Sequence, residues 1–180
     1  YWDVWGLDNI LITLVNNAPD LSTPTAGSIS ETTGSSDTKV SGLSGFLSAT
    51  DADGDTLTYG IAGGTVVGDE SILPGTYGTL SVNTTTGEYI YTPTSAAIEA
   101  LCAGSVTDSF TVSVSDGTAT TTSTYTVNIT GADDPAVVSS GTSGSGAEDS
   151  TIAGTLAATD VDGLTEGFVF IVSTNPSNGR

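Results

Sequence analysis

The stretch Ser109-Phe110-Thr111-Val112-Ser113-Val114-Ser115-Asp116-Gly117 places apolar residues at every second position and then stops on an Asp-Gly pair. A two-residue period turns one face of a strand to a core and the other to water, and Asp-Gly is a strong hairpin signal. Downstream, Tyr125, Val127 and Ile129 repeat the alternation. Phe110, Val112, Tyr125 and Val127 are therefore expected to be buried on facing strands. Working outward, strands are expected near 26–32, 40–50, 56–62, 77–83, 88–92, 106–115 and 118–130, with Thr84-Thr85-Thr86-Gly87 as a turn. Residues 63–73 show no period and read as loop, and Ser95 to Leu101 carry a short helical signal. Short strands separated by turns at this spacing are the pattern of an all-β, Ig-like antiparallel sandwich.

A second pattern recurs along the chain. Ala49-Thr50-Asp51-Ala52-Asp53-Gly54-Asp55 is echoed by Ala158-Thr159-Asp160-Val161-Asp162-Gly163, each after a short Gly/Leu-containing strand pattern. Asn16-Asn17-Ala18-Pro19 and Gly131-Ala132-Asp133-Asp134-Pro135 break the chain at matching places. Proline has no ladder donor, so each marks passage from a last strand into a new unit. The chain reads as tandem repeats: an isolated strand over 1–15, a complete sandwich over 16–132, and the start of a second repeat over 133–180. A lone acidic turn is ordinary, because Asp and Gly are turn formers. Two copies, each beside a linker, point to a cation: alternating carboxylates with a flexible Gly aim oxygens at one point, and calcium accepts roughly 6–8 oxygen ligands.

Composition narrows the function classes. The 180 residues carry 21 acidic and 2 basic side chains, a net charge of −19, with no His, no Met and one Cys. Such a polyanion is repelled by nucleic acid and by anionic headgroups, leaving divalent cations as natural counterions. The lack of His removes the commonest general base and the Ser-His-Asp arrangement, and leaves Cys102 without an activating partner. Asp51 and Asp53 share one turn, which suits cation binding better than a glycosidase pair. No enzyme is expected. Cys102 cannot form an internal disulfide and reads as a small buried hydrophobe. The longest apolar stretch, Ile10 to Val15, is interrupted by Thr13 and is far short of the ~20 residues of a spanning helix, so no membrane insertion is expected.

Several segments together resemble a VCBS repeat: Tyr77-Gly78-Thr79-Leu80-Ser81-Val82-Asn83, Gly87-Glu88-Tyr89-Ile90-Tyr91-Thr92-Pro93, Val106 to Val112, Ser115-Asp116-Gly117, and Val127 to Pro135. The resemblance covers roughly residues 16–135, and the tail from Glu148 to Gly179 resembles the start of a further cadherin-like repeat. It implies a cadherin-like module of large bacterial surface adhesins. It also implies how calcium is held: linker acids, a Glu on the first strand and the Asp-x-Asp turn of the next domain converge at each junction. Carried over residue by residue, the junction inside this chain would use Asp133, Asp134, Asp160 and Asp162, with Glu31 as the first-strand acid. The upstream junction would use Asn16 or Asn17 with Asp51, Asp53 and Asp55. The linkers are shorter than the cadherin form, and no Asp-Arg-Glu motif is visible.

The expected function is a calcium-stabilised extracellular structural or adhesive module of a bacterial surface array, filament or biofilm, with neighbouring repeats or identical subunits as partners. The alternative is a carbohydrate-binding module that stacks Trp2, Trp5 or exposed tyrosines on a surface glycan. Residues 1–15 supply a strand without a sheet, while 136–180 supply opening strands without closing ones, and such edges recruit other chains. If these are the ends of a mature subunit, strand addition into a head-to-tail filament is expected.

Overall fold

Side chains alternating about the Asp116-Gly117 turn form the two longest strands, and the rest of the sandwich is arranged around them. The structure, a computed structural model, describes residues 15–33, 41–141, 143–164 and 169–171. In chain order the elements are β1 (Asp20–Leu21), β2 (Gly27–Ser30), β3 (Leu43–Phe46), β4 (Ala49–Thr50), β5 (Thr58–Ile61), β6 (Thr65–Val67) and β7 (Glu70–Pro74). There follow β8 (Gly78–Asn83), β9 (Glu88–Pro93), α1 (Ser95–Glu99), β10 (Gly104–Ser115), β11 (Thr120–Gly131), β12 (Val137–Ser140) and β13 (Ala157–Thr159). One sheet has the order β2-β11-β10-β5 and the other β3-β9-β8-β7-β6. All pairs within them are antiparallel except β2 with β11, where Ile29 lies beside Ile129.

The core is what alternation dictates. Along β10 and β11, Phe110, Val112, Val114, Tyr125, Val127 and Ile129 are buried while Ser109, Thr111, Thr124 and Asn128 face water. Leu80, Val82, Tyr89 and Tyr91 on β8 and β9 meet them from the other sheet. Rings bridge the layers: Tyr89 and Tyr125 lie 4.8 Å apart, and Tyr91 meets Phe110 edge-on at 6.0 Å. The four residues expected on facing strands are all buried, but β10 and β11 are neighbours within one sheet, with Phe110 directly opposite Tyr125.

Two local expectations are corrected. Residues 63–73 are not loop: β6 and β7 form a hairpin that extends the second sheet to its edge. Val66 and Val67, adjacent in sequence and both exposed on that edge, erase the two-residue period. The single strand expected over 40–50 is two. Its chain turns at buried Leu47, whose N–H donates to Gly87 O, so that β3 joins β9 while β4 joins β1. The strand expected over 1–15 lies outside the described residues, apart from Val15, which is exposed and not in a strand.

After the linker the opening of the sandwich is repeated. β12 pairs antiparallel with β13, Val138 opposite Ala158, just as β1 pairs with β4, Leu21 opposite Ala49. In each copy the strand that leaves the linker lies beside the strand that enters the acidic turn. Linker and turn are thereby brought together.

Candidate metal centre

Gly54 (φ +78°) and Gly163 (φ +89°) occupy the left-handed region that a side chain disfavours, and each closes its Asp-x-Asp-Gly turn. The first Asp of each turn braces it. Asp51 Oδ1 accepts from the N–H of Asp53 at 2.8 Å and of Asp55 at 3.2 Å, and Asp160 Oδ1 accepts from the Asp162 N–H at 3.0 Å. The second Asp receives the linker backbone: Asn17 N–H donates to Asp53 Oδ2 at 2.6 Å, and Asp134 N–H to Asp162 Oδ2 at 2.8 Å.

Around the second turn, acids converge from distant parts of the chain. Glu31 follows β2, Glu99 ends α1, and Asp134 lies in the linker; all three are buried, and one carboxylate oxygen of each falls within 4.8 Å of the others. Three ionised carboxylates at that separation repel by at least about 3 kcal/mol per pair at an effective dielectric near 20. Ala132 N–H donates to Glu31 Oε2 at 2.9 Å and fixes that side chain. Glu31 Oε1 and Asp162 Oδ1 are shielded from solvent and, among the described residues, accept no hydrogen bond. Burial, helped by the negative charges of Asp162, Glu99 and Asp134, holds the Glu31 carboxyl above the usual range, against the opposing Ala132 N–H.

This donor set fits a hard divalent cation. Buried oxygens without hydrogen donors, packed among like charges, are relieved either by protonation or by a hard cation. Asp51, Asp53 and Asp55 form a second cluster within 4.8 Å, in which Asp51 is half-buried and Asp53 and Asp55 are exposed; among the described residues Asp51 Oδ2 also lacks a partner.

Of the residues expected from sequence, Glu31 and Asp134 come together with their carboxylates, Asp162 lies beside them through the Asp134 N–H, and Asn17, Asp51, Asp53 and Asp55 gather at the first turn. Asp160 braces its turn through Oδ1, and Asp133 is exposed. Glu99 is an addition, legible in sequence only as an acid ending the short helical segment. Cys102 is half-buried rather than core, its thiol 3.7 Å from Asp162 O beside the same centre.

The two centres lie at opposite ends of the β10–β11 hairpin. Asn16 Nδ2 donates to Asp116 Oδ2 in its turn at 2.9 Å, whereas Glu31 is bonded at Ala132, just past its open end. The 12 residues of β10 span about 40 Å at a strand's rise of ~3.3 Å per residue.

A family model described as a bacterial cadherin-like domain matches residues 16–131. Among solved structures, human protocadherin-24 EC1-2 is similar at 22% identity and a TM-score of 0.38, over 64% of this chain and 44% of that chain. An endo-fucoidan hydrolase from glycoside hydrolase family 107 is similar at 19% identity and a TM-score of 0.38, over 67% of this chain and 14% of that chain. The chain thus spans less than half of either structure. No curated protein matches it.

Proposed function

The chain belongs to the bacterial cadherin-like domain family, and on that premise we propose that it is an extracellular structural and adhesive module stiffened by calcium at its junctions. The observation that carries this reading is the buried cluster of Glu31, Glu99 and Asp134, in which Glu31 Oε1 is shielded and, among the described residues, has no hydrogen-bond partner, with Asp162 tied to it through the Asp134 N–H. Glu31 and Glu99 come from the first sandwich, Asp134 from the linker and Asp162 from the following repeat. A cation held by all four ties two repeats into one body. It supplies charge neutralisation and oxygen coordination, and the chain supplies the positions. Centres at both ends of a ~40 Å hairpin suit modules joined head to tail into a rod.

The partners in this reading are neighbouring repeats or further copies of the chain. Val137 and Val138 on β12 and Leu156 before β13 are exposed, and a two-stranded sheet is marginal by itself. Further strands, from adjoining sequence or from another molecule, would cover it. Such an array places the module at the bacterial cell surface, with no catalytic role. Among the described residues, no helix is long and apolar enough to cross a membrane.

Small-angle scattering and thermal melting of the whole chain, with calcium and with chelator, test the reading. Calcium at roughly 100 times its Kd contributes about 2.7 kcal/mol to the native state, which raises Tm by on the order of 5–10 °C. Chelator should broaden the distance distribution. Curves identical in both conditions would remove calcium from the account.

A further inference from the structure

We infer that the two acidic turns are loaded unequally: the Asn17 amide holds the first turn without metal, whereas the second closes only around a cation. The inference rests on the calcium reading above and concerns which turn calcium controls.

The turns share one backbone plan, so their difference lies in side chains. In both, a linker N–H reaches the second Asp: Asn17 to Asp53 Oδ2 and Asp134 to Asp162 Oδ2. At the first turn, Asn17 Nδ2 adds contacts to Asp53 Oδ1 at 3.0 Å and Oδ2 at 3.2 Å. Both oxygens of Asp53 are then engaged by a neutral donor. At the second, the matching position is Asp134, whose carboxylate offers no amide donor of that kind, and among the described residues Asp162 Oδ1 is shielded without a donor.

The neighbouring linker position repeats the contrast. Asn16 Nδ2 donates to Asp116 Oδ2, while its counterpart Asp133 is exposed and brings a further charge. The surroundings differ in the same direction. Asp53 and Asp55 are exposed and screened by water, whereas Glu31, Glu99 and Asp134 are buried together. Among the described residues, Asp51 Oδ2 at the first turn is shielded without a hydrogen-bond partner, as are Glu31 Oε1 and Asp162 Oδ1 at the second. Repulsion to be relieved and oxygens to be satisfied are both concentrated at residues 31, 99, 134 and 162. Calcium should fill that junction first.

The test is a calcium chloride titration of the full chain followed by amide NMR, with hydrogen exchange measured in chelator. The Asp162 and Gly163 amides should shift at calcium concentrations at least about tenfold below those that move Asp53, Gly54 and Asp55. Without metal, the Asp53 and Asp55 amides should exchange more slowly than that of Asp162. Asn17→Asp should bring the first turn's midpoint down toward the second's and speed its exchange in chelator. Asp134→Asn should weaken the second turn's response by at least about tenfold while slowing its metal-free exchange. Equal midpoints in the wild-type chain, or an Asn17→Asp variant with an unmoved midpoint, would overturn the inference and leave the calcium reading standing. Amides at both turns that ignore calcium would overturn both.

Discussion

Asp134 and Asp162, 28 residues apart in sequence, are joined by the Asp134 N–H, which donates to Asp162 Oδ2 at 2.8 Å. The bond sets the linker against the turn, with Asp162 Oδ1 shielded from solvent. Replacing both Asp160 and Asp162 with Asn should therefore abolish most of the calcium-dependent rise in Tm. A calorimetric scan in calcium and in chelator reads the difference, and a variant that keeps the full calcium increment would show that these carboxylates hold no cation.

A second polar centre lies inside the sandwich, away from the acidic turns. Buried Asp108 accepts from the Thr76 and Tyr77 N–H groups at 3.0 Å each and from the Tyr91 hydroxyl at 2.7 Å. Asp108→Ala leaves three donors unpaired and should cost about 3 kcal/mol or more in denaturant unfolding, independent of calcium. Tyr91→Phe should cost less, about 1–3 kcal/mol, because Asp108 keeps its two backbone donors.

Phe110 lies across from Tyr125 and packs edge-on against Tyr91. Phe110→Ala should cost about 3–5 kcal/mol. A loss under ~0.5 kcal/mol in the same unfolding experiment would contradict its central place in the core.

The sandwich was legible wherever strands have one wet and one dry face. β10 and β11 show this best, because each buries alternate residues along most of its 12 positions. The β6–β7 hairpin was not legible, since an edge strand with Val66 and Val67 both exposed has no dry face to impose a period. At the candidate metal centre, the acidic turns announced themselves as repeats, and Glu31 followed from the cadherin resemblance. Glu99 was hidden. It reaches the centre only because α1 packs beside the end of β11, a juxtaposition that sequence spacing does not encode. The exposure of Asp133 beside buried Asp134 was hidden for the same reason.

Alkaline titration should separate the tyrosines. Burial, then the hydrogen bond to Asp108 and its charge, pushes the Tyr91 phenol far above its ordinary value of 10; burial and neighbouring Tyr89 do the same to Tyr125. A raised folded pKa contributes stability that is complete below the unfolded value and is lost as pH rises beyond it. Ultraviolet absorbance should show the Tyr91 and Tyr125 phenols ionising only together with unfolding. Reversible ionisation of every tyrosine in a protein that stays folded would contradict their burial.

Glu31→Gln provides the most direct test of the central claim, that a cation relieves repulsion among buried carboxylates. The amide keeps an acceptor for the Ala132 N–H and removes one charge. Glu31 has a raised folded pKa, so without metal its contribution is complete below the unfolded value and is lost as pH rises through the folded one. Near neutral pH in chelator, the substitution should therefore raise Tm. In calcium it removes a ligand and should lower Tm. Opposite signs in the two conditions are the predicted result, and a change of the same sign in both would contradict the account.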